Sequence, residues 1–120
     1  MLKGQPKLGR NVLRIRQLND AFRKTFLGGR LVITAGIAAL PDHIKVELLR
    51  EVQRFDQFTP DNDPFGERDF GAINFEFGGY KEHVFWKIDC YNKELRFGSP
   101  DAADPSKTTR VLTIMKASEW

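Results

Sequence analysis

Apolar residues recur along this chain in two rhythms, one of three and four positions and one of two. Ile15, Leu18, Phe22 and Phe26 return at the helical interval, and Ile44, Leu48, Leu49, Val52 and Phe55 do the same. Each set marks one buried stripe on a helix. Asn11 is placed to cap the first helix and the Gly28-Gly29 pair to stop it. The second helix starts at Leu40-Pro41-Asp42 and ends near Phe55, since Pro60 follows closely. Between the two, Leu31-Val32-Ile33-Thr34 is a β-branched run that predicts a short strand, broken by Gly36.

Beyond residue 70 the interval of two takes over. Ile73, Phe75 and Phe77 alternate with Asn74 and Glu76, and Val84, Trp86, Ile88 and Cys90 form the next alternating set. With Gly78-Gly79 between them, these runs predict a β-hairpin, with Phe85 on the opposite face. Asn92-Lys93 predicts a turn, and Glu94 to Phe97 a further strand. The last segment fits two readings. Val111, Leu112, Ile114 and Met115 have helical spacing, with Ser106 or Thr108 as the cap, while Val111 to Ile114 also suits a strand. Residues 1–9, with Gly4, Pro6 and Gly9, predict a flexible basic arm ahead of one domain over 10–120. The expected architecture is α+β: a small antiparallel sheet of three to four strands, with two or three helices packed mainly on one face.

At 120 residues, with 41% hydrophobic and 29% charged positions, the composition is that of an ordinary globular domain. No apolar run reaches membrane-span length and no secretory leader is visible, so no membrane role is expected. Cys90 is the sole cysteine, which excludes an internal disulfide and favours a cytoplasmic setting. The net charge of +3 hides an asymmetry. Residues 1–30 hold Lys3, Lys7, Arg10, Arg14, Arg16, Arg23, Lys24 and Arg30 against Asp20 alone. Arg14, Arg16, Arg23 and Lys24 fall largely off the apolar stripe and could contact nucleic-acid phosphates, or simply solvate one face. Arg16 and Asp20, four apart, are spaced to pair.

The segments Phe58-Thr59-Pro60-Asp61-Asn62-Asp63-Pro64, Asp69-Phe70-Gly71, Phe85-Trp86-Lys87-Ile88-Asp89, Gly98-Ser99-Pro100-Asp101 and Arg110-Val111-Leu112-Thr113-Ile114-Met115 carry a resemblance. Together they are similar to a family of small bacterial proteins classed as a domain of unknown function, common on plasmids and other mobile DNA. The resemblance spans about residues 10–120. It implies a bacterial cytoplasmic setting and an accessory role on mobile elements, including interference with host defence. It brings no activity, substrate or catalytic residue.

The candidate chemistry is concentrated between Thr59 and Gly71. Asp61, Asn62, Asp63, Glu67 and Asp69 could offer oxygen ligands to a hard cation. Read as a calcium loop, Asp61, Asp63 and Gly66 fit, but Ala72 stands where a bidentate glutamate is required. The same side chains also suit turns in which Asp and Asn bond their own backbone. Glu67, Asp69, His83 and Asp89 would make an acid–base or metal-dependent nuclease set if the first hairpin strand reached back to the loop. Cys90, in phase with Trp86 and Ile88, reads as a small core residue rather than a nucleophile. Tyr80, Phe85, Trp86, Tyr91 and Phe97, near Lys81, Lys87, Lys93 and Arg96, could stack on single-stranded bases or serve as core. Asp101 and Asp104, with Asp61, Asp63 and Glu67, could form an acidic face opposite the basic helix. Such a face would suit a protein partner, including a host nucleic-acid-binding complex. The expected function is a non-enzymatic protein-binding module of a mobile element, an anti-defence inhibitor of anti-CRISPR or anti-restriction type. The alternatives are a metal-assisted nucleic-acid-processing enzyme and a nucleic-acid-binding protein. No cofactor is expected, and no residues are assigned to a metal.

Overall fold

In the middle of the hairpin Ile73, Phe75, Val84, Trp86 and Ile88 are buried at every second position, and this alternation sets the layers of the molecule. A computed structural model describes residues 9–120. The arm expected over residues 1–9 therefore lies, apart from Gly9, outside the described residues. Helix α1 runs Arg10–Thr25, strand β1 Gly29–Ile33, the short helix α2 Ala35–Ala38 and helix α3 Asp42–Arg54. Strands β2 (Phe70–Phe77), β3 (Tyr80–Tyr91) and β4 (Thr109–Lys116) follow, with single 3-10 turns at Pro105–Lys107 and Ala117–Glu119.

The class is the expected α+β, on a sheet ordered β1-β4-β3-β2. The sheet is mixed. β2–β3 and β3–β4 pair antiparallel, while β1 lies parallel to β4 with Leu31 opposite Leu112. A parallel pair needs a long crossover, and here α2, α3 and the hairpin all lie between its two strands. One sheet face carries Ile73, Phe75, Val84, Trp86, Ile88, Leu112 and Ile114, all buried. It receives Phe22 of α1 and Ile44, Leu48 and Val52 of α3 in a single core. Leu18, expected in that core, is half-buried.

Trp86 anchors this layer. It is fully buried, with the rings of Phe55 and Phe58 edge-on at 5.5 and 6.1 Å. Gly71, opposite Trp86 in the register, leaves room for the indole; a Cβ there would overlap the indole nitrogen. Among the described residues, the other sheet face carries no α-helix. Phe70 and Phe85 meet Trp120 there at 5.7 and 5.6 Å.

Three local expectations change. The first helix starts at Arg10 after Gly9, not behind an Asn11 cap, and it stops at Phe26, which takes a left-handed φ of 58° and donates back to Phe22 O. Glu94 to Phe97 is not a strand, because Asn92 Oδ1 accepts from the backbone of Arg96 and Phe97 and Leu95 takes φ 60°. Such local side-chain bonding competes with ladder formation. The last segment is strand β4, since burial of Arg110, Leu112 and Ile114 follows the period of two.

Candidate functional site

The loop between α3 and β2 is ordered by its own side chains. Asn62 Oδ1 accepts from Thr59 N at 2.9 Å, Asn62 N donates to Thr59 Oγ1, and Asn62 Nδ2 donates to Gln57 O at 2.9 Å. Asp63 Oδ1 accepts from Arg68 N at 2.9 Å, spanning a left-handed Gly66 (φ 74°) and Arg68 (φ 53°). These are the side-chain-to-backbone turns that Asp and Asn make readily.

Helix α1 holds this loop from below. Arg16 Nε donates to Gly66 O at 2.7 Å and Asn19 Nδ2 to Glu67 O at 2.9 Å. Asn19 Oδ1 in turn accepts from Arg110 Nε at 2.8 Å, and Arg110 Nη2 donates to Ala102 O. Two buried side chains, Asn19 and Arg110, thus link the Thr59–Asp69 loop, the strand β4 and the loop Gly98–Asp104. The second loop has its own braces. Asp101 Oδ1 accepts from Ala103 N, Asp104 Oδ1 from Ser106 N and Oγ, and Thr108 Oγ1 donates to Asp101 O. The bonds to Ser106 hold the Asp104 carboxyl below its ordinary range.

Beneath the first loop, Asp20 takes both arginines that flank Phe58. Arg23 Nη1 meets Asp20 Oδ1 at 2.9 Å and Arg68 Nη1 meets Oδ2 at 3.0 Å. The Arg23 and Arg68 guanidiniums stand 5.2 and 5.1 Å from the Phe58 ring centre. A cation in that position is attracted by the ring quadrupole.

The basic helix therefore does not present all four of its candidate contacts. Arg23 is buried and Arg16 is committed to Gly66, while Arg14 and Lys24 are exposed. The spaced pair Arg16–Asp20 does not form, because Asp20 turns to Arg23 and Arg68. The acidic loops do not lie opposite α1; both are fastened to it through Asn19.

The carboxylate–histidine set is not assembled. Asp69 O accepts from Ile88 N, whereas His83 pairs with Asn74. His83 is five residues along β3 from Ile88, roughly 17 Å at ~3.4 Å per residue. Asp89 pairs with Lys87 at 3.1 Å. Among the described residues, no three His, Cys, Asp or Glu side chains stand together as a metal could require. Glu67 and Asp69 do approach each other. Burial, then Asp69 and Asp63, raises the Glu67 carboxyl, with Arg110 opposing. Burial likewise raises Asp69, against a backbone hydrogen bond that lowers it. Burial also pushes the Cys90 thiol up, away from the thiolate a nucleophile needs.

The residue that stands out is Phe65. Its side chain is 77% exposed at the tip of the braced loop, flanked by exposed Asp61 and half-buried Asp63 and Glu67. Sequence reasoning passed over it, because an aromatic between a proline and a glycine reads as loop filler. Asn19 and Arg110 were also missed, and Arg23 was read as a surface contact although it is buried. Their signal was present: Asn19 continues the Ile15–Phe22 stripe, and Arg110 is in phase with Leu112 and Ile114. Polar residues at apolar-phase positions are informative because burial demands partners for them.

A family model described as protein of unknown function (DUF3768) matches residues 33–119. The chain belongs to this family. The DUF3768 match takes in both braced loops and the strands β2 to β4, while α1 precedes it. No curated protein and no solved structure matches the chain. Among the described residues, no helix is long and apolar enough to cross a membrane.

Proposed function

We propose that this protein is a non-enzymatic protein-binding module whose contact surface is the Thr59–Asp69 loop. The observation that carries this reading is Phe65, an exposed aromatic on a loop pinned by its own side chains and by Arg16 and Asn19 from below. An aromatic anchor on a preorganised loop suits recognition, because little conformational entropy is lost on binding. Asp61, Asp63 and Glu67 around it favour a basic partner surface. The finer reading is an inhibitor carried by a bacterial mobile element and directed at a nucleic-acid-binding host defence complex of CRISPR or restriction type. Its support is the acidic rim, since the basic groove of such a complex is complementary to it, and the resemblance of the chain to proteins common on mobile DNA.

Affinity capture from bacterial lysate, with and without nuclease, tests the reading. A protein partner retained after nuclease, and lost with Phe65→Ala or Asp61→Arg at unchanged thermal stability, is expected. Capture abolished by nuclease, or a salt-sensitive gel shift lost on Arg14→Glu with Lys24→Glu, would replace it with nucleic-acid binding. A tight one-to-one site for Mg²⁺, Mn²⁺ or Ca²⁺ in calorimetry, lost in Asp63→Asn, would replace it with a metal-assisted function.

A further inference from the structure

We propose that the protein forms a two-fold dimer through β1, joining two four-stranded sheets edge to edge. Among the described residues, β1 is an outer strand, paired with β4 alone. Thr34 N donates to Ile114 O at 3.1 Å. Backbone groups along a strand alternate sides, so Val32 and Arg30 also turn toward β4. Leu31 and Ile33 then direct their N–H and C=O groups to the open edge. An edge of this kind is completed by an extended strand, which supplies matching donors and acceptors.

Natural sheets guard such edges with charges, prolines or bulges. The β2 edge follows this rule: it carries Glu76, and Glu51, Arg54 and Asp56 line a groove beside it. β1 does not. All five of its residues are exposed, and Leu31, Val32 and Ile33 keep 37%, 43% and 36% of their surface in solvent.

The occupant is a second copy because β1 complements itself. In an antiparallel pairing centred on Val32, each Val32 faces its own equivalent. Leu31 of one copy then faces Ile33 of the other, and both turn their open backbone groups toward each other. Apolar side chains meet apolar side chains throughout. The next pair places Arg30 beside Thr34 of the second copy. Thr34 Oγ1 donates to Glu119 Oε1 at 2.6 Å, so a carboxylate waits where that guanidinium arrives. Among the described residues, Arg30 has no ion-pair partner in its own chain. The symmetry closes two Arg30–Glu119 pairs and opposes no like charges.

Sedimentation velocity across a micromolar-to-submillimolar series of the full chain tests this, independently of the Phe65 surface. The parent is expected to dimerise. Val32→Lys, which sets two ammonium groups face to face, should be monomeric with an unchanged circular dichroism spectrum. Arg30→Glu should weaken the dimer by at least roughly tenfold through repulsion from Glu119. In a Cys90→Ala background, Val32→Cys should cross-link on mild oxidation. Facing residues of a non-hydrogen-bonded pair lie roughly 4.5 Å apart at Cα, within disulfide reach. Leu31→Cys, which faces Ile33, should cross-link far less. The cysteine pair decides the matter if Val32→Lys does not fold. A parent monomeric at every concentration, a dimer that survives Val32→Lys, or equal cross-linking at Leu31 and Val32 would overturn the proposal.

Discussion

Asn19→Ala probes the link between helix and loops most directly. The substitution removes two contacts made by one buried side chain: the donor to Glu67 O and the acceptor for Arg110 Nε. The first is a neutral bond worth about 1 kcal/mol, and the second, made to a charged group, about 1.5–3 kcal/mol. Arg110 is only 4% exposed, so water cannot readily replace the lost acceptor. The expected cost is about 3–4 kcal/mol. With a urea slope of about 2 kcal/mol per molar for a domain of this size, the midpoint should fall by about 1.5–2 M. Arg110→Met supplies the other arm of a double-mutant cycle, which should return a coupling of about 1.5 kcal/mol or more. A midpoint shift below about 0.3 M, or effects that simply add, would show that Asn19 is not the tie the geometry describes.

Other consequences are open to simple measurements. Trp86→Ala empties the centre of the core and should cost about 3–5 kcal/mol in chemical denaturation; an unmoved midpoint would contradict its place there. Asp63→Asn should be mild, because an amide oxygen still accepts from Arg68 N. Asp63→Ala should instead raise amide exchange across Gly66 to Arg68, and equal exchange in the two variants would argue against the brace. The raised Glu67 carboxyl means the fold favours its protonated form. That contribution is complete below the unfolded pKa and disappears as pH rises through the folded one. Glu67→Gln should therefore raise the thermal midpoint at neutral pH and flatten the decline in stability as pH rises above the ordinary glutamate range. A neutral-pH midpoint below the parent's would refute this sign. Asp104 is shifted the other way by its bonds to Ser106, so the stability it contributes is lost as pH falls through its lowered pKa.

Much of this architecture was legible in the chain because periodicity reports local burial. The stripe Ile44–Leu48–Val52 located α3, and the alternation through Trp86 and Ile88 located β3, since each pattern has one arrangement that hides its apolar side. The Thr59–Asp69 loop was legible as a self-bonding turn region, because Asn62 and Asp63 need only near neighbours. Where local signals competed, the sequence left the choice open. Val111 to Met115 fits a helix as well as a strand, and it is a strand because β1 and β3 leave a slot whose backbone groups need a partner between them. Glu94 to Phe97 failed in the opposite sense: Asn92 satisfies its backbone locally, so no ladder is required.

Tertiary structure alone decided what no spacing can encode. β1 and β4 run parallel although 80 positions separate Thr34 from its partner Ile114, because the core is shared by whatever apolar faces the intervening chain brings back. Arg23 and Arg110 look like surface charge in the chain. They are buried because Asp20 and Asn19 stand where each can be paired. Charge and period are properties of a residue and its near neighbours, whereas burial of a polar group depends on partners that only the completed fold supplies.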